Sequence, residues 1–397
     1  MKQGWEIKKL GDVVDIVNGR NQTSVISDDG QYPIYGSAGN LMGFATDYLC
    51  EFGTTIIGRK GNISNPIYIE EKFWNVDTAF GIYPKNGYST KFINYLCQTI
   101  DFKSRNKGTT IPSLVKGDLI NIDVPFISSV PEQQRIVSIL DEAFAAIAKA
   151  KANAEQNLKN AKELFESYLQ GVFENGEWEK MKLQDVAKVF GRGKSKHRPR
   201  NWEGLYGGDY PFIQTGEVRN ANKYISSYTQ TYNKVGLAQS KLWKKGTICI
   251  TIAANIAETA ILDFDACIPD SIIGFEVDEK KADLNFAYYL LQYFKGELQK
   301  LGKGSAQDNI NLGTFENQYF PFPTLKEQQT IVRQLDALRA ETQKLEAVYQ
   351  KKIEDLEELK KAILQKAFAG ELDTEKSRRD GMILENKIST PKPTPKG

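Results

Sequence analysis

Side chains that could carry out catalysis are scarce in this sequence. There is a single histidine, His197, so a Ser-His-Asp triad or a multi-histidine metal site is almost excluded. The segment "GRGKS" (191–195) is similar to the end of a phosphate-binding loop, but Lys188 stands where that motif needs its first glycine. We therefore interpret this match as false.

The other reactive side chains do not form a recognisable site either. Neighbouring carboxylates such as Glu70-Glu71 are unspecific, and "SNPIY" (64–68) lacks the Asn/Asp-Pro-Pro-aromatic order with which amino-methyltransferases hold a flipped base. No Cys-x-x-Cys pair occurs, which indicates buried free thiols in a reducing cytoplasm for Cys50, Cys97, Cys249 and Cys267. The sequence thus predicts a protein that is not an enzyme, with no metal site.

Phosphate contact is the chemistry that the sequence does offer. Seven Lys or Arg residues and one acid, Asp185, lie between Lys182 and Arg200, although the formal net charge of the 397-residue chain is only +2. Such a run suits contact with a nucleic-acid backbone, and it is equally typical of a solvated loop. No stretch approaches the roughly 18 apolar residues of a membrane span, so we expect a cytoplasmic protein with no membrane partner.

The elements that must position these residues are duplicated along the chain. "GWEIKKLGDVVDIVNGR" (4–20) matches "EWEKMKLQDVAKVFGRG" (177–193), and "YPIYGSAG" (32–39) matches "YPFIQTGE" (210–217). "GTTIPSLVKGDLINIDVPF" (108–126) corresponds to "GSAQDNINLGTFENQYFPF" (304–322). Short runs of β-branched and aromatic residues between Gly, Asn and Pro predict a mixed α/β, strand-rich module in each copy.

A long amphipathic helix is predicted after each module. "VPEQQRIV" (130–137) and "LKEQQTIV" (325–332) begin the two helices, behind capping-box patterns at Ser129-x-x-Glu132 and Thr324-x-x-Glu327. The apolar residues recur in alternating steps of three and four residues, with two consecutive four-residue steps at one point. Such a pair of steps is a stutter, which locally relaxes a left-handed coiled coil. The predicted seam residues are Ile136, Leu140, Ile147, Leu158, Phe165, Ile331, Leu335, Leu338, Leu345, Ile353, Leu356 and Ile363.

Two arrangements of these helices remain open. The shared stutter favours an antiparallel coiled coil about a pseudo-two-fold axis, with the modules at opposite ends. The alternative is that each helix lies only on its own module. The predicted fold class is α+β, with the first module at 1–128, a helix at 129–175, the second module at 176–323, a helix at 324–373 and a polar, flexible tail at 374–397.

This twice-repeated order resembles the specificity subunit of type I restriction–modification enzymes. The resemblance extends from Trp5 to about Asp373 and includes "TTIIGRKGNISNPIYIEEKFWNVDTAFGIYP" (54–84), "PFIQTGEV" (211–218) and the two Glu-Gln-Gln segments. It implies two target-recognition domains, similar in fold to the DNA-recognition domain of Taq-type adenine methyltransferases. Each domain would read one half of a bipartite, asymmetric site in double-stranded DNA, mainly through the major groove.

The same resemblance implies partners and cofactors. The helices would set the spacing of the half-sites and dock two adenine methyltransferase subunits, and motor-nuclease subunits would join the full complex. S-adenosylmethionine, ATP and Mg²⁺ would be bound by those partner subunits and none of them by this chain. A stand-alone two-headed DNA-binding or scaffold protein is the alternative, and the missing motifs disfavour a DNA-cleaving or nucleotide-hydrolysing enzyme.

Polar and basic loops of the modules are the DNA-binding candidates, because amide, hydroxyl and cationic groups contact base edges and phosphates. An ordinary turn role is an open alternative for each of them. In the first module they are Arg20, Asn21, Gln22, Ser37, Asn40, Arg59, Lys60, Asn62, Lys107, Thr109, Thr110 and Ser113. In the second they are Arg192, Lys194, Lys196, His197, Arg198, Gln214, Thr215, Arg219, Asn220, Asn255, Lys303, Gln307, Asn309 and Asn311.

Overall fold

The computed structural model describes residues 4–196, 199, 202–253, 255–303, 310 and 312–372. The chain divides into two compact units: unit 1 comprises residues 1–156 and 349–397, and unit 2 comprises residues 157–348. Each of the two long helices therefore contributes one segment to each unit. The predicted polar tail, 374–397, lies outside the described residues.

Unit 1 contains the first module and is built around antiparallel strands. Its strands are β1 (Trp5–Lys9), β2 (Val14–Asn18), β3 (Tyr32–Tyr35), β4 (Leu41–Ala45), β5 (Thr54–Gly58), β6 (Ile67–Ile69), β7 (Trp74–Asn75), β8 (Ala79–Pro84) and β9 (Asp123–Ile127). Its α-helices are α1 (Leu10–Val13), α2 (Thr90–Thr99), α3 (Lys116–Ile120), the first part of α4 (Val130–Glu174) and the last part of α9 (Leu325–Phe368). The sheet orders are β2-β8-β5-β6, β4-β3-β7 and β1-β9.

Unit 2 repeats this framework in the second module. Its strands are β10 (Glu179–Met181), β11 (Ala187–Arg192), β12 (Tyr206–Phe212), β13 (Tyr224–Ile225), β14 (Gln230–Tyr232), β15 (Leu242–Trp243), β16 (Ile248–Thr251), β17 (Thr259–Leu262), β18 (Ala266–Cys267), β19 (Ile272–Val277) and β20 (Phe320–Phe322). Its α-helices are α5 (Thr215–Asn220), α6 (Lys234–Ala238), α7 (Leu284–Lys303), α8 (Leu312–Glu316), the last part of α4 and the first part of α9. The sheet orders are β11-β19-β16-β17-β13, β14-β12-β18-β15 and β10-β20.

The two units share one strand framework. The antiparallel pair β1–β9 corresponds to β10–β20, and the order β2-β8-β5-β6 corresponds to β11-β19-β16-β17. The parallel pair β3–β7 likewise corresponds to β12–β18. The strand β5 is buried at every residue, as is β16, because runs of β-branched residues suit a strand covered on both faces. The prediction of two similar mixed α/β modules is confirmed.

An aromatic cluster ties a helix end to each module. In unit 1, the indole of Trp5 lies 6.5 Å from the ring of Phe92 on α2 and 6.1 Å from that of Phe368 at the end of α9. In unit 2, Trp178 lies 6.3 Å from Phe286 on α7 and 6.0 Å from Phe173 near the end of α4. Each module thus packs on the beginning of one long helix and on the end of the other.

A buried glutamine fixes the beginning of each long helix. Gln133 is fully buried; its Nε2 donates to the carbonyl of Ile127 at 2.7 Å, and its Oε1 accepts from the amide of Ser89 at 2.9 Å. Gln328 makes the same pair of contacts. Its Nε2 donates to the carbonyl of Pro323 at 2.8 Å, and its Oε1 accepts from the amide of Asp283 at 2.7 Å. Each glutamine therefore joins the helix to the last strand of its module and to the first residues of α2 or α7.

The two long helices run antiparallel within each unit. In unit 1, Lys360 Nζ lies 5.1 Å from the ring centre of Phe144, and Glu357 pairs with Lys151, so residue numbers rise on one helix as they fall on the other. In unit 2, the Arg339 guanidinium lies 4.9 Å from the ring centre of Phe165. The Tyr168 hydroxyl donates to Gln334 at 3.3 Å.

The structure adds a role to three of the predicted seam residues and corrects the prediction at Leu345. Ile136 and Leu140 belong to the same buried cluster as the strands of unit 1, and Leu335 belongs to the core of unit 2, so the first turns of each helix complete a module core as well as the helix pair. Leu345 is 41% exposed rather than buried, whereas Ala150, which also immediately precedes the two consecutive four-residue steps of its helix, is buried. Ile147, Phe165 and Leu356 are buried, and Leu158, Ile331, Leu338, Ile353 and Ile363 are half-buried.

One predicted capping box is also wrong. Thr324 and Glu327 form theirs, with the Thr324 amide donating to the Glu327 carboxylate at 3.0 Å and the Thr324 hydroxyl at 2.7 Å. Glu132 instead accepts from Nε and Nη2 of Arg135, at 2.7 and 2.6 Å. The guanidinium of Arg135, three residues further along the helix, offers Glu132 two parallel charged donors, and Ser129 has no comparable pair of donors.

Candidate nucleic-acid interface

The predicted DNA-binding loops of unit 1 converge on one segment, residues 75–79, between β7 and β8. The amide of Arg20 donates to the carbonyl of Asn75 at 2.9 Å, and the amides of Arg59 and Lys60 both donate to the carbonyl of Thr78, at 2.8 and 3.0 Å. The turn 36–40 follows Tyr35, whose carbonyl accepts from the amide of Val76 at 3.3 Å. We call residues 75–79 the central segment of unit 1.

The fourth predicted loop is joined to this group through residues 59–62. The amide of Gly61 donates to the carbonyl of Pro112 at 2.9 Å, and the amide of Leu114 donates to the carbonyl of Arg59 at 2.9 Å. Within the fourth loop, Asn106 Oδ1 accepts from the amides of Gly108 and Ser113, both at 2.8 Å. The four loops of unit 1 therefore form one connected surface.

Unit 2 builds the same centre from residues 268–272, its own central segment. The amide of Lys194 donates to the carbonyl of Ile268 at 3.2 Å, and the amide of Ile252 donates to the carbonyl of Ser271 at 3.0 Å. The guanidinium of Arg192 donates from Nε to the carbonyl of Asp270 at 2.8 Å. In unit 1 the guanidinium of Arg59 donates to the corresponding carbonyl, that of Asp77, at 3.4 Å.

A glycine permits the close approach of the first loop in each unit. A Cβ at Gly19 would lie 1.8 Å from the carbonyl oxygen of Val76, and one at Gly193 would lie 2.3 Å from the oxygens of Ile268 and Pro269. Backbone cannot yield to such contacts as a flexible side chain can. The matching pair of glycines is thus required by the geometry of both centres.

Most of the predicted side chains of unit 1 face solvent at this surface. The exposed residues are Arg20, Asn21, Asn40, Arg59, Lys60, Lys107, Thr109 and Thr110, and the half-buried ones are Gln22, Ser37, Asn62 and Ser113. Asn21 has a local role, because its Oδ1 accepts from the amide of Thr23 at 2.8 Å, as in an Asx turn. Lys107 pairs with Asp118 at 3.6 Å.

The predicted side chains of unit 2 are in part paired with one another. Arg219 Nη1 donates to Asn255 Oδ1 at 3.2 Å, and Gln214 Nε2 donates to Gln230 Oε1 at 2.9 Å. Lys194, Lys196 and Asn220 are exposed, and Thr215 is half-buried. His197, Arg198, Gln307, Asn309 and Asn311 lie outside the described residues, as does the side chain of Lys303.

The central segments themselves were not among the predicted DNA-binding loops. Asp77 is exposed and Asp270 half-buried, and each is followed by a hydroxyl residue, Thr78 or Ser271. The signal that could have found them is the alignment of "NVDTAF" (75–80) with "IPDSII" (268–273), two otherwise different segments that share an aspartate and a hydroxyl residue. Carboxylate and hydroxyl groups can contact exposed base edges.

The described residues offer no alternative catalytic or metal centre. All four cysteines are free and buried, as predicted, and burial raises the pKa of Cys50 and Cys97 to about 12, which keeps both thiols protonated at neutral pH. Within the described ranges there is no group of three or more His, Cys, Asp or Glu residues that could hold a metal ion. None of the described helices is long and apolar enough to cross a membrane.

Comparison with known families and sequences agrees with this geometry. The family described as the type I restriction modification DNA specificity domain matches residues 2–159 and 175–355. The type I restriction enzyme MjaVIII specificity subunit of Methanocaldococcus jannaschii is 24% identical, with 93% of each chain covered. The EcoDI specificity subunit of Escherichia coli is 24% identical over 93% of this chain and 88% of its own length.

Solved structures share the fold over nearly the whole chain. A chain from a study of complex assembly and conformational transition of the type I R-M system superposes with a TM-score of 0.77 at 18% identity, covering 94% of this chain and 99% of that one. The HsdS subunit from Thermoanaerobacter tengcongensis superposes with a TM-score of 0.57 at 19% identity, covering 94% and 98%.

Proposed function

Because this chain belongs to the family of type I restriction–modification DNA specificity domains, we propose that it reads a bipartite, asymmetric DNA site, one half with each module. It is a recognition subunit rather than a catalytic one. The observation that carries the proposal is the loop surface built twice on one framework, with the same backbone contacts around residues 75–79 and 268–272 and different side chains around them. A shared backbone with divergent side chains suits two readers of different half-sites.

The chemistry of the loops supports both parts of DNA recognition. Exposed cations such as Arg20, Lys60 and Lys194 suit the phosphates, which supply affinity without sequence preference. Amide and hydroxyl side chains suit the base edges of the major groove, where each base pair presents a distinct pattern. The paired side chains Arg219 and Asn255 are the strongest base-reading candidates of unit 2, since they are already held together.

We further propose that the two long helices dock adenine methyltransferase subunits and fix the distance between the half-sites. The methyltransferase subunits bind S-adenosylmethionine, and motor-nuclease subunits that use ATP and Mg²⁺ join the full complex. The support for this part is the family membership and the uninterrupted length of α4 and α9. A stiff helix holds a distance that a flexible linker would not.

The decisive experiment is co-expression of the chain with a neighbouring gene that carries an Asn-Pro-Pro-Tyr/Phe adenine-methyltransferase motif, followed by sequencing of the modified adenines. We expect a stable complex and adenine methylation at one bipartite motif. A chain that binds DNA with no methyltransferase partner would support the stand-alone scaffold instead. Purified alone, the chain should neither cleave DNA nor consume ATP.

A module exchange tests the assignment of half-sites. Residues 1–128 are replaced by the corresponding module of another family member, and the methylated motif is sequenced again. One half of the motif should change while the other stays the same. A motif that changes in both halves, or in neither, would contradict the proposal that each module reads one half.

A further inference from the structure

Three large apolar side chains are exposed among the polar loops of unit 1. Leu41, Met42 and Ile111 expose 54%, 46% and 60% of their surface. Burial of apolar surface stabilises a protein or a complex by about 25 cal/mol for every Å² removed from water. Exposed apolar groups that lie together therefore commonly mark a binding surface. None of the three is needed for the core of unit 1.

The first two of these residues lie on a hairpin beside the central segment. Leu41 and Met42 begin β4 directly after the turn 36–40, and Leu41 pairs with Tyr35 on β3. On its other side β3 pairs with β7, where Tyr35 lies opposite Asn75. Since neighbouring strands are about 4.8 Å apart, Leu41 lies about 10 Å from residues 75–79, a distance that spans about three base-pair steps.

The third residue is held on a rigid loop. Asn106 closes the loop by accepting from the amides of Gly108 and Ser113, and Gly61 holds Pro112, the residue after Ile111. Ile111 therefore points into solvent from a backbone that is fixed on both sides. Its neighbours on the adjoining loop are the exposed cations Arg59 and Lys60.

We infer that Leu41, Met42 and Ile111 contact the C5-methyl groups of thymines in the major groove of the half-site that the first module reads. This inference rests on the proposed function and names the chemical group that part of the first module recognises. The thymine methyl is an apolar feature of the major groove, and apolar side chains are its usual partners. DNA is favoured as the occupant because the adjoining loops carry the cations that phosphates require.

The second module offers different chemistry at the matching positions. Gln307 aligns with Ile111. In unit 2 the polar helix α5 lies between β12 and its antiparallel partner β14, whereas in unit 1 only the turn 36–40 separates β3 from β4. Contact of Leu41, Met42 and Ile111 with thymine methyl groups is therefore specific to the first half-site. Substitutions in the first module should leave the recognition of the second half-site unchanged.

The test replaces individual thymidines by 2′-deoxyuridine, which removes only the methyl group, in duplexes that carry the bipartite motif. Affinities of the full chain in complex with its methyltransferase are measured by fluorescence anisotropy at fixed salt. Burial of one methyl-sized group is worth about 0.8 kcal/mol, or about fourfold in Kd. We expect such a loss at one or more thymines of the first half-site.

Variants then assign the loss to these side chains. The double variant Leu41→Ser, Met42→Gln and the single variant Ile111→Thr are compared with Ile7→Ser, a control at an equally exposed apolar residue on β1. At a sensitive thymine, at least one test variant should bind the thymidine and deoxyuridine duplexes within twofold of each other. It should also bind the deoxyuridine duplex as tightly as the native chain does.

The outcomes separate this inference from the proposed function. A native complex that binds the motif but ignores every methyl group of the first half-site would overturn the inference alone, as would a loss that persists in all variants. That result would leave a protein surface as the partner of the hairpin. Failure to bind any bipartite motif would overturn the proposed function. Leu41→Ala and Ile111→Ala replace the polar variants if those unfold.

Discussion

Gln133 and Gln328 occupy the same place in two copies of one structural unit. Each accepts from an amide at the start of a module helix and donates to a carbonyl at the end of the last strand. The sequence pattern Glu-Gln-Gln draws attention to its glutamate, because capping boxes are a known local signal. The buried glutamine has no local signal, since both of its partners are distant or lie outside the helix.

Replacement of either buried glutamine by alanine should destabilise its own unit. Gln133→Ala leaves the amide of Ser89 and the carbonyl of Ile127 without a partner, and Gln328→Ala does the same to Asp283 and Pro323. Buried groups left unsatisfied cost about 1–3 kcal/mol, so we expect the free energy of unfolding to fall by about 2 kcal/mol in each variant. Denaturant unfolding followed by circular dichroism provides the measurement.

The next glutamine in each pattern is the matched control. Gln134 and Gln329 are exposed, so Gln134→Ala and Gln329→Ala should change the free energy of unfolding by less than about 0.5 kcal/mol. Equal effects of the first and second glutamine would contradict the structural role assigned to the buried one.

Lys60 allows a test of phosphate contact in unit 1. Its amide is fixed by Thr78 while its side chain is exposed, so Lys60→Ala should leave the loop in place and remove one cation. Loss of one phosphate contact should weaken binding to specific and unrelated duplexes by a similar factor and reduce the slope of log K against log salt by about 0.9.

The salt titration needs a lysine away from the loops as its control. Lys180, exposed on β10, serves this purpose, and Lys180→Ala should leave the slope unchanged. If Lys60→Ala weakened only the specific duplex and kept the slope, the residue would be a reader of bases rather than a phosphate contact.

At the scale of elements, the two long helices begin in the same way but are stabilised differently. Thr324 caps α9 through the carboxylate of Glu327, and these hydrogen bonds lower the pKa of Glu327 from its ordinary value of 4.5. Glu132 of α4 is held by Arg135, which lowers the pKa of Glu132. The identical spacing in sequence therefore conceals two different local structures.

Removal of the two hydroxyls should distinguish these helix starts. Thr324→Ala should lower the unfolding midpoint at pH 7, whereas Ser129→Ala should change it little, because Glu132 already has its partner in Arg135. Since the folded-state pKa of Glu327 is depressed, its contribution is present above about pH 4.5 and is lost as the pH falls through the folded value. The effect of Thr324→Ala should thus shrink between pH 7 and pH 3 in thermal unfolding, and an effect independent of pH would show that the carboxylate does not take part.

The sequence predicts the regular elements well and the contacts between distant segments poorly. The duplication, the long helices and strands such as β5 follow from repeats and periodicity, which are local or can be compared along the chain. The central segments 75–79 and 268–272 are defined by hydrogen bonds to loops that are distant in sequence. The difference between the hairpin after β3 and the helix α5 after β12 also depends on strand pairing that no short pattern specifies.

At the scale of the whole chain, each compact unit needs segments from both long helices. Phe368 at the end of α9 completes the aromatic cluster of Trp5, and Phe173 at the end of α4 completes that of Trp178, so each module is closed by the end of the helix that begins at the other module. The two arrangements predicted from the sequence gave each helix one role, either spacer or cover for its own module. The structure combines the two roles, because the first and last turns serve the modules while the middle turns pair with each other.

The proposed spacer role predicts that the length of α4 and α9 decides the distance between the half-sites. Seven residues inserted in α4 after Gln156 and seven in α9 after Val348 lengthen each helix by about 10.5 Å and return the following turns close to their original rotation. An extension of 10.5 Å corresponds to about three base pairs. Sequencing of methylated adenines should therefore show the same two half-sites with a spacer about three base pairs longer.

Single insertions provide the contrast to this matched pair. An insertion in only one helix shifts part of that helix against its unchanged partner. The contact of Ile147 with Leu356 in unit 1 and that of Phe165 with Arg339 in unit 2 then cannot both be kept, so the complex should lose activity rather than change its spacer. A matched insertion that is stable and active but keeps the original spacer would show that something other than the helices sets the distance. If the sequences of the half-sites changed with helix length, the result would contradict the proposal that the loops read the bases and the helices only set the distance between the half-sites.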